Sequence, residues 1–151
     1  TPIFTGTYFK WDAQHIVSEI EKKGWIRGYE RTEGDYDNIE DLDCGFQPIH
    51  QYFKFVKYGY ARATDHASYE IRHNRLSKKQ AKEFIITYDH ELPKRYFDEF
   101  LQFLDITEDR FFEIRDKFTN HELFKTGNNL NLEKTKGNEL ILKDIWYTSF
   151  E

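Results

Sequence analysis

The sequence predicts a mainly α fold of about six helices, and three observations support this prediction. Apolar residues recur at the i, i+3, i+4 and i+7 positions of amphipathic helices along most of the chain. Capping residues or prolines precede these runs, and glycines follow two of them. With 151 residues, of which 18% are aromatic, the chain can form one domain with a core built largely from rings.

The first helix is predicted to begin after Asp12, a good N-capping residue, and to end at Gly24. Its buried face follows the helical spacing and consists of Ala13, Ile16, Val17 and Ile20. The next segment, RTEGDYDNIEDLD at residues 31–43, is acidic, rich in turn-forming residues and without periodicity. We expect it to form a loop, which we call the acidic loop.

The second helix is predicted to run from Pro48, which suits a first helical position, to Gly59 as its C-terminal stop. Its apolar face holds Ile49, Tyr52, Phe53 and Val56, and its opposite face holds His50, Lys54 and Lys57. A third helix covers GYARATDHASYEIRHNR at residues 59–75, with Ala63, Ala67 and Ile71 on its inward side.

Three further helices follow. Ser77 opens the fourth with a capping box in which Gln80 reaches back, Pro93 starts the fifth, and Thr107 caps the sixth. Their inward residues are Ala81, Phe84, Ile85 and Tyr88 in the fourth, Phe97, Phe100, Leu101 and Leu104 in the fifth, and Phe111, Ile114, Arg115 and Phe118 in the sixth. Because the connecting loops are short, neighbours among these helices are expected to pack as helical hairpins.

The end of the chain predicts one further element. Within NLNLEKTKGNELILKD, residues 129–144, a small β-hairpin is expected about Lys136-Gly137. We therefore divide the chain into a helical domain at residues 1–125 and a tail at residues 126–151.

Composition excludes several classes of protein. Charged residues make up 32% of the chain, which excludes a membrane protein. The single cysteine, Cys44, excludes a disulfide framework and suits a reducing cytoplasm, where we expect the protein to be located. No segment resembles a signal peptide, and the absence of methionine suggests a piece of a longer protein.

The charge is distributed in blocks. The net charge of −5 argues against a nucleic-acid-binding protein. Residues 1–43 and residues 80–151 each carry −5, whereas residues 44–79 carry +5. One basic segment between two acidic ones fits a local anion site better than a nucleic-acid groove.

The basic segment concentrates its polar residues on one side of the third helix. This polar stripe consists of Arg62, Asp65, His66, Tyr69, Arg72 and His73. A solvated surface is one interpretation and an anion-binding face is the other. The second is favoured because Lys54 and Lys57 come alongside, and because guanidinium groups bind carboxylate or phosphate oxygens in a bidentate manner.

Other candidate sites are weaker. Cys44 precedes the second helix, where a nucleophile is conceivable, but a small buried hydrophobic residue is the favoured interpretation. One cysteine and scattered histidines give no zinc-ligand spacing. An EF-hand beginning at Asp35 needs glycine where Glu40 stands and glutamate where Phe46 stands, so no metal site is predicted. The eight glycines stand singly and form no loop for the phosphates of ATP.

Several motifs resemble one family. They are YFKWD (8–12), GW (24–25), DLDCGF (41–46), YFKFVKYGYARATDHASYEIR (52–72), SKKQAKEFIITYD (77–89), LPKRYFDEFLQFLDIT (92–107) and DKF (116–118). Together they are similar to the bacterial N-acetyl sugar amidotransferases of lipopolysaccharide and nonulosonate glycan synthesis. The resemblance covers residues 8–124, with 52–72 the most specific block. The family tends to have glycine where this chain has Ala61, so the geometry beside Arg62 is expected to differ.

The resemblance implies that the chain is the C-terminal part of a larger α/β enzyme of the PP-loop ATP pyrophosphatase type. The implied reaction converts a sugar acetamido group into an acetamidino group. ATP, with Mg²⁺, adenylates the amide oxygen, and ammonia from a partner glutaminase displaces AMP. Because this chain lacks the PP-loop, we expect it to be inactive alone.

The resemblance and the polar stripe together assign candidate roles. The expected substrate is a nucleotide-activated N-acetyl sugar, and neither nucleic acid nor a membrane is an expected partner. Substrate and phosphate binding is assigned to Lys54, Lys57, Arg62, Thr64, Tyr69, Arg72 and Arg75. Asp65 and His66 are the candidate catalytic residues, as proton acceptors or, for Asp65, as an orienting carboxylate. The alternative is a non-catalytic helical module that docks the glutaminase or a second subunit.

Overall fold

The computed structural model describes residues 2–125 and 141–142, and these are mainly helical. A short 3₁₀ helix at Thr5–Thr7 precedes six α-helices: α1 Ala13–Glu21, α2 Gln47–Tyr58, α3 Arg62–Arg72, α4 Lys78–Tyr88, α5 Phe97–Leu104 and α6 Glu108–Phe118. Two short strands, β1 Phe124–Lys125 and β2 Ile141–Leu142, pair in antiparallel fashion. The predicted mainly α class with six helices is confirmed.

Local capping signals define several helix ends as predicted. Asp12 and Thr107 each accept a hydrogen bond from a backbone N–H of the following helical turn, at 3.2 Å in both cases. Ser77 and Gln80 form the predicted capping box. Gly59 ends α2 at a left-handed φ of 82°, which glycine adopts without steric cost. The starts of α1, α4 and α6 and the end of α2 therefore follow from residues close by in sequence.

Helix α3 begins without a capping side chain of its own, because Ala61 occupies its N-cap position. The carboxyl group of Asp89, at the end of α4, takes this role. It accepts hydrogen bonds from the backbone N–H groups of Ala61 and Thr64, each at 3.0 Å, and another from the Thr64 hydroxyl. Burial raises the pKa of Asp89, and these hydrogen bonds offset part of that effect. Asp89 thus ties the end of α4 to the start of α3.

Aromatic rings form the larger of two hydrophobic clusters, which joins α2, α5, α6 and Phe124. Its central residue is Phe111, whose ring lies 4.8 Å from that of Phe97 and 5.5 Å from that of Phe53, both in edge-to-face geometry. Such pairs contribute roughly 0.5–1.5 kcal/mol beyond the burial of their area. The prediction of a core built largely from rings is confirmed.

The smaller cluster joins α3 to α4 through Ala67, Ala81 and Ile85. The two alanines have almost no exposed surface, and their small side chains allow the helix axes to approach closely. Tyr36 of the acidic loop packs against the same cluster. The pair of helices therefore presents a fixed surface on which this loop rests.

Helix α5 begins four residues later than predicted, and Pro93 lies in non-helical backbone before it. The acidic loop supplies the physical reason. The Glu33 carboxylate accepts hydrogen bonds from the backbone N–H groups of Lys94, at 2.8 Å, and Arg95, at 3.1 Å. These contacts hold the segment in a turn, so that the helix starts only at Phe97.

The predicted inward faces of α5 and α6 are partly wrong. Leu104 and Phe118 are 46% and 52% exposed, whereas Phe112, which the periodicity did not select, is buried. The reason is that α6 packs against α2 rather than only against its neighbour in sequence. Of the expected hairpins, α5 and α6 meet through aromatic contacts, but the most extensive helix pairings are α3 with α4 and α2 with α6.

The acidic loop has no regular secondary structure, as predicted, and is fixed to the segment after α4. Glu91 accepts two hydrogen bonds from the Arg31 guanidinium, at 2.7 and 2.6 Å, and one from the Gly34 N–H at 2.8 Å. Burial favours a higher pKa for Glu91, but these donors outweigh it and hold the pKa below its ordinary value. The loop is therefore anchored by side chains some 60 positions away in sequence.

Only part of the predicted C-terminal hairpin lies among the described residues. The described part is the strand Ile141–Leu142, which pairs with Phe124–Lys125 at the end of the helical domain. The turn about Lys136-Gly137 lies outside the described residues and stays a prediction.

Replacing Asp89 with alanine is expected to lower the free energy of unfolding by about 2 kcal/mol, because two N–H groups at the start of α3 lose their acceptor. Asp89→Asn keeps one acceptor oxygen and is expected to lose less. Urea unfolding followed by circular dichroism measures both, with Asp43→Ala, at an exposed position of the acidic loop, as the matched control. If Asp89→Ala were as stable as the control, the capping role would be refuted.

Candidate functional site

Helix α3 places the polar stripe opposite a buried alanine face. Ala63 and Ala67 have no exposed surface, and Ala61, just before the helix, is 1% exposed. Ala61 has an extended φ of −137°, a conformation open to any residue, so its methyl group fits at this position without backbone strain. Along the stripe, Arg62 meets the acidic loop, Tyr69 meets the start of α1 and Arg72 is exposed to solvent.

Arg62, at the start of the stripe, forms an ion pair with Glu40 of the acidic loop. Its second terminal nitrogen lies 4.0 Å from the Asp65 carboxylate. The same Asp65 oxygen accepts a hydrogen bond from Lys54 Nζ at 2.5 Å. These contacts place four side chains of alternating negative and positive charge side by side: Glu40, Arg62, Asp65 and Lys54.

His66 lies beneath the acidic loop and is 8% exposed. Its Nε2 is 3.1 Å from a carboxylate oxygen of Glu40. Its Nδ1 is 2.7 Å from Asp35 Oδ2, but the geometry is not that of an aligned hydrogen bond. The Tyr36 ring lies 5.8 Å from the imidazole. His66 is thus enclosed by two carboxylates and a ring rather than open to a ligand.

Burial of acidic groups in this loop has an electrostatic effect. Burial, together with the neighbouring carboxylates of Asp35 and Asp43, raises the pKa of Asp41, and His66 and His50 oppose the shift. Burial and the Asp35 carboxylate also raise the pKa of Tyr36. Burial therefore favours the neutral forms of these two groups, and it is Glu40 that brings the negative charge of the loop to the start of the stripe, at Arg62.

Tyr69 and Arg75 hold the start of α1. The Tyr69 hydroxyl accepts a hydrogen bond from the Ala13 N–H at 2.9 Å. Arg75 binds Glu70 at 2.6 and 2.9 Å and Asp12 at 3.0 Å. In this structure both side chains, which the sequence assigned to substrate binding, connect the end of α3 to the first helix.

Thr64 is likewise engaged within the protein, because its hydroxyl donates to Asp89. It also lines a cavity of about 430 Å³ on the exposed part of α3. The other residues of this cavity, which we call the α3 pocket, are Tyr60, Asp65, Ser68 and Arg72. Arg72 is exposed and makes no ion pair with any described residue.

A second cavity, of about 530 Å³, lies between α2, Tyr60 and the end of α6. Its lining is aromatic and basic, and we call it the aromatic–lysine pocket: His50, Phe53, Lys54, Lys57, Tyr58 and Phe118, in addition to Tyr60. Tyr60 lines both cavities, so the two pockets adjoin. The structure thus brings Lys54, Lys57 and Arg72 to neighbouring cavities, while Arg62, Tyr69 and Arg75 have partners elsewhere.

Cys44 is exposed, so the interpretation as a buried hydrophobic residue is wrong. It lies at the edge of a cavity of about 500 Å³ on the far side of the acidic loop. The chain passes beneath the Tyr96 ring here, and a Cβ atom at Gly45 would lie 2.8 Å from that ring. Glycine at position 45 is what allows this close passage.

Sequence reasoning missed four residues that shape the site: Asp35, Glu40, Tyr60 and Asp89. The opposite net charges of residues 1–43 and 44–79 are the signal that indicates a contact between the acidic loop and the stripe. They do not identify which carboxylate meets which cation. Among residues 2–125 and 141–142, no cluster of three or more His, Cys, Asp or Glu side chains is arranged to hold a metal ion, and no helix there is long and apolar enough to cross a membrane.

The family of the chain follows from a comparison with known proteins. Residues 23–136, about three quarters of the sequence, match the family model described as "LPS biosynthesis protein WbpG-like, C-terminal domain". No curated protein matches the chain. The matched range contains the acidic loop, helices α2 to α6 and both adjoining pockets. The chain therefore belongs to the family of C-terminal domains of WbpG-like lipopolysaccharide biosynthesis proteins.

Proposed function

We propose that the chain is the C-terminal part of an ATP-dependent amidotransferase of lipopolysaccharide biosynthesis. The proposed reaction converts an acetamido group of a nucleotide-activated sugar into an acetamidino group. In this reaction the present chain binds the substrate, and a preceding PP-loop domain activates the amide.

The α3 pocket is the observation that carries this proposal. It combines the guanidinium of Arg72, the hydroxyls of Ser68 and Tyr60, and the carboxylate of Asp65 in one cavity of about 430 Å³. An arginine fork binds phosphate or carboxylate oxygens, while a carboxylate accepts hydrogen bonds from sugar hydroxyls. A sugar linked to a nucleotide offers both kinds of group, and the cavity volume lies within the usual range for small-molecule sites.

The described residues supply neither a loop that holds the triphosphate of ATP for adenylation nor a cluster of ligands for Mg²⁺. The sequence contains no glycine-rich phosphate loop, and the described residues hold no cluster of metal ligands. The proposal therefore assigns adenylation of the amide oxygen to the preceding domain. What this chain supplies is the position of the sugar and compensation of negative charge near the reacting group.

Asp65 is the residue here best placed to act on a bound substrate. Its carboxylate lines the α3 pocket and is held by Lys54 at 2.5 Å. We propose that it orients the sugar or the attacking ammonia. His66 faces away from this cavity toward Asp35 and Glu40, so we propose that it positions the acidic loop rather than accepting a proton.

Exposed apolar residues before α1 favour a second function, the docking of the ammonia-supplying glutaminase or a second subunit. Ile3, Phe4, Tyr8, Phe9 and Trp11 are 66–82% exposed. So many large apolar side chains in one short segment are typical of an interaction site. This function is compatible with the first, because none of these five residues lines the α3 pocket.

The structure separates two arginines that the sequence treated alike. In the full-length enzyme, Arg72→Ala is expected to lower turnover because one charge-assisted contact is lost. The loss corresponds to about 2–4 kcal/mol of transition-state stabilisation. Its thermal stability should change little, within about 0.5 kcal/mol. Arg62→Ala should also destabilise the fold, by about 1–2 kcal/mol, because the Glu40 carboxylate loses its arginine partner and, among the described residues, keeps only the contact with His66.

Steady-state rates and thermal melts distinguish the two variants, with Arg110→Ala as the control. Arg110 is a half-exposed arginine whose one ion pair within the described part of the chain is with Glu113 of its own helix. Near-normal turnover of Arg72→Ala would mean that the exposed end of the stripe is only a solvated helix face.

The isolated chain is expected to fold but to release no pyrophosphate from ATP. The reason is that it has capped helices and a packed core but no phosphate loop. The assay contains ammonia and a UDP-linked acetamido sugar, and circular dichroism confirms folding of the same sample. Pyrophosphate released at a rate proportional to the chain concentration would contradict the assignment of ATP to another domain.

Substitutions at Asp65 and His66 test the assigned roles. In the full-length enzyme with free ammonia, Asp65→Asn is expected to reduce the rate at every pH, because the orienting charge is lost throughout. His66→Gln is expected to keep both limbs of the pH–rate profile and to lower the melting temperature. Loss of one limb in His66→Gln would instead identify this residue as a general base.

A further inference from the structure

The aromatic–lysine pocket differs in chemistry from the α3 pocket that it adjoins. Its floor is Phe53, whose ring packs on Phe111 of the core at 5.5 Å. Its walls include Tyr58 and Phe118, which are 51% and 52% exposed. Large aromatic side chains that stay half exposed around a concave surface are typical of a binding site for a flat or apolar group.

Two lysines stand at this aromatic surface. Lys57 Nζ lies 5.3 Å from the centre of the Tyr58 ring and 6.0 Å from that of Phe118. Lys54 Nζ lies 4.6 Å from the Tyr60 ring and also binds Asp65. The two lysines are three positions apart on α2, so their side chains project from the same face of the helix.

Lys57 is the more available of the two ammonium groups. It is exposed and forms no ion pair with any residue in the described part of the chain. Its contacts with the two rings are cation–π interactions, which are weak at exposed positions. A phosphate group forms a stronger, charge-assisted contact with such an ammonium. A phosphate group can therefore bind Lys57 without breaking a salt bridge between described residues.

We propose that the aromatic–lysine pocket binds a nucleoside diphosphate, with its base against Tyr58 and Phe118 and its phosphates at Lys57 and Lys54. A cavity of about 530 Å³ accommodates a ligand of this size. Stacking on aromatic side chains tolerates any base, because every base has a π face. Both a UDP-linked sugar and an adenine nucleotide carry this combination of groups.

The position of Tyr60 gives the bound nucleotide a direction. Because Tyr60 lines both cavities, a group attached to the terminal phosphate extends toward Ser68 and Arg72. The inference thus deepens the proposed function by locating the nucleotide of the sugar substrate. Only the direction of the bound nucleotide rests on the proposed function, because nucleotide binding by the chain can be measured without any turnover.

Isothermal titration calorimetry of the purified chain tests the proposal with UDP, ADP and inorganic pyrophosphate as separate ligands. At least one of the two nucleotides is expected to bind with a Kd below about 1 mM, which is the upper end of common KM values. Pyrophosphate, which lacks the base, is expected to bind at least about tenfold more weakly, since base stacking is lost. Tighter binding of UDP than of ADP would assign the pocket to the sugar nucleotide, and the reverse would assign it to an ATP-derived nucleotide.

Two variants separate the contributions of charge and stacking. Lys57→Ala is expected to weaken nucleotide binding roughly tenfold, and Tyr58→Ala to reduce it toward the affinity for pyrophosphate. The controls are Lys79→Ala and Tyr29→Ala, at exposed positions outside the pocket. The proposal is overturned if neither nucleotide binds, if pyrophosphate binds as tightly as the nucleotides, or if both pocket variants behave like their controls. None of these outcomes depends on whether the full-length protein transfers an amide nitrogen.

Discussion

The carboxyl group of Asp89 is the contact on which the arrangement of the site depends. Helix α3 packs closely against α4, and the residue at its N-cap must be small because it is buried. Alanine meets that steric requirement but offers no acceptor to the first helical turn. Asp89 supplies the acceptor from the end of α4. The same side chain therefore caps α3 and links it to α4.

The residues that follow Asp89 extend this control to the acidic loop. Glu91 binds Arg31 and Gly34, and the Lys94 N–H binds Glu33. The short segment between α4 and α5 therefore fixes both the helix that carries the polar stripe and the loop that covers its first turn. A substitution in this segment would therefore alter the positions of both α3 and the acidic loop, although no residue of the segment lines either pocket.

Sequence predicts those parts of the fold that are decided locally. The caps at Asp12, Ser77 and Thr107 involve partners two or three positions away, and helix periodicity places α2 and α3 within a few residues of their observed bounds. The late start of α5 was not predictable in this way. It depends on Glu33, which is about 60 positions distant, and no local pattern records such a partner. The same limitation explains Phe112, whose burial depends on the packing of α6 against α2.

For the candidate site, the sequence predicts which residues share one face of α3, but not which of them have partners within the protein. Arg62 and Arg72 occupy equivalent positions in the stripe, yet only Arg62 meets a carboxylate of the acidic loop. In a partly buried setting an ion pair is little screened by solvent, so a ligand that used Arg62 would first have to displace Glu40. No such displacement is needed at Arg72 or Lys57. The acidic loop therefore neutralises the start of the stripe, whereas Arg72 and Lys57 have no ion-pair partner among the described residues. It is beside these two cations that we propose an anionic ligand binds.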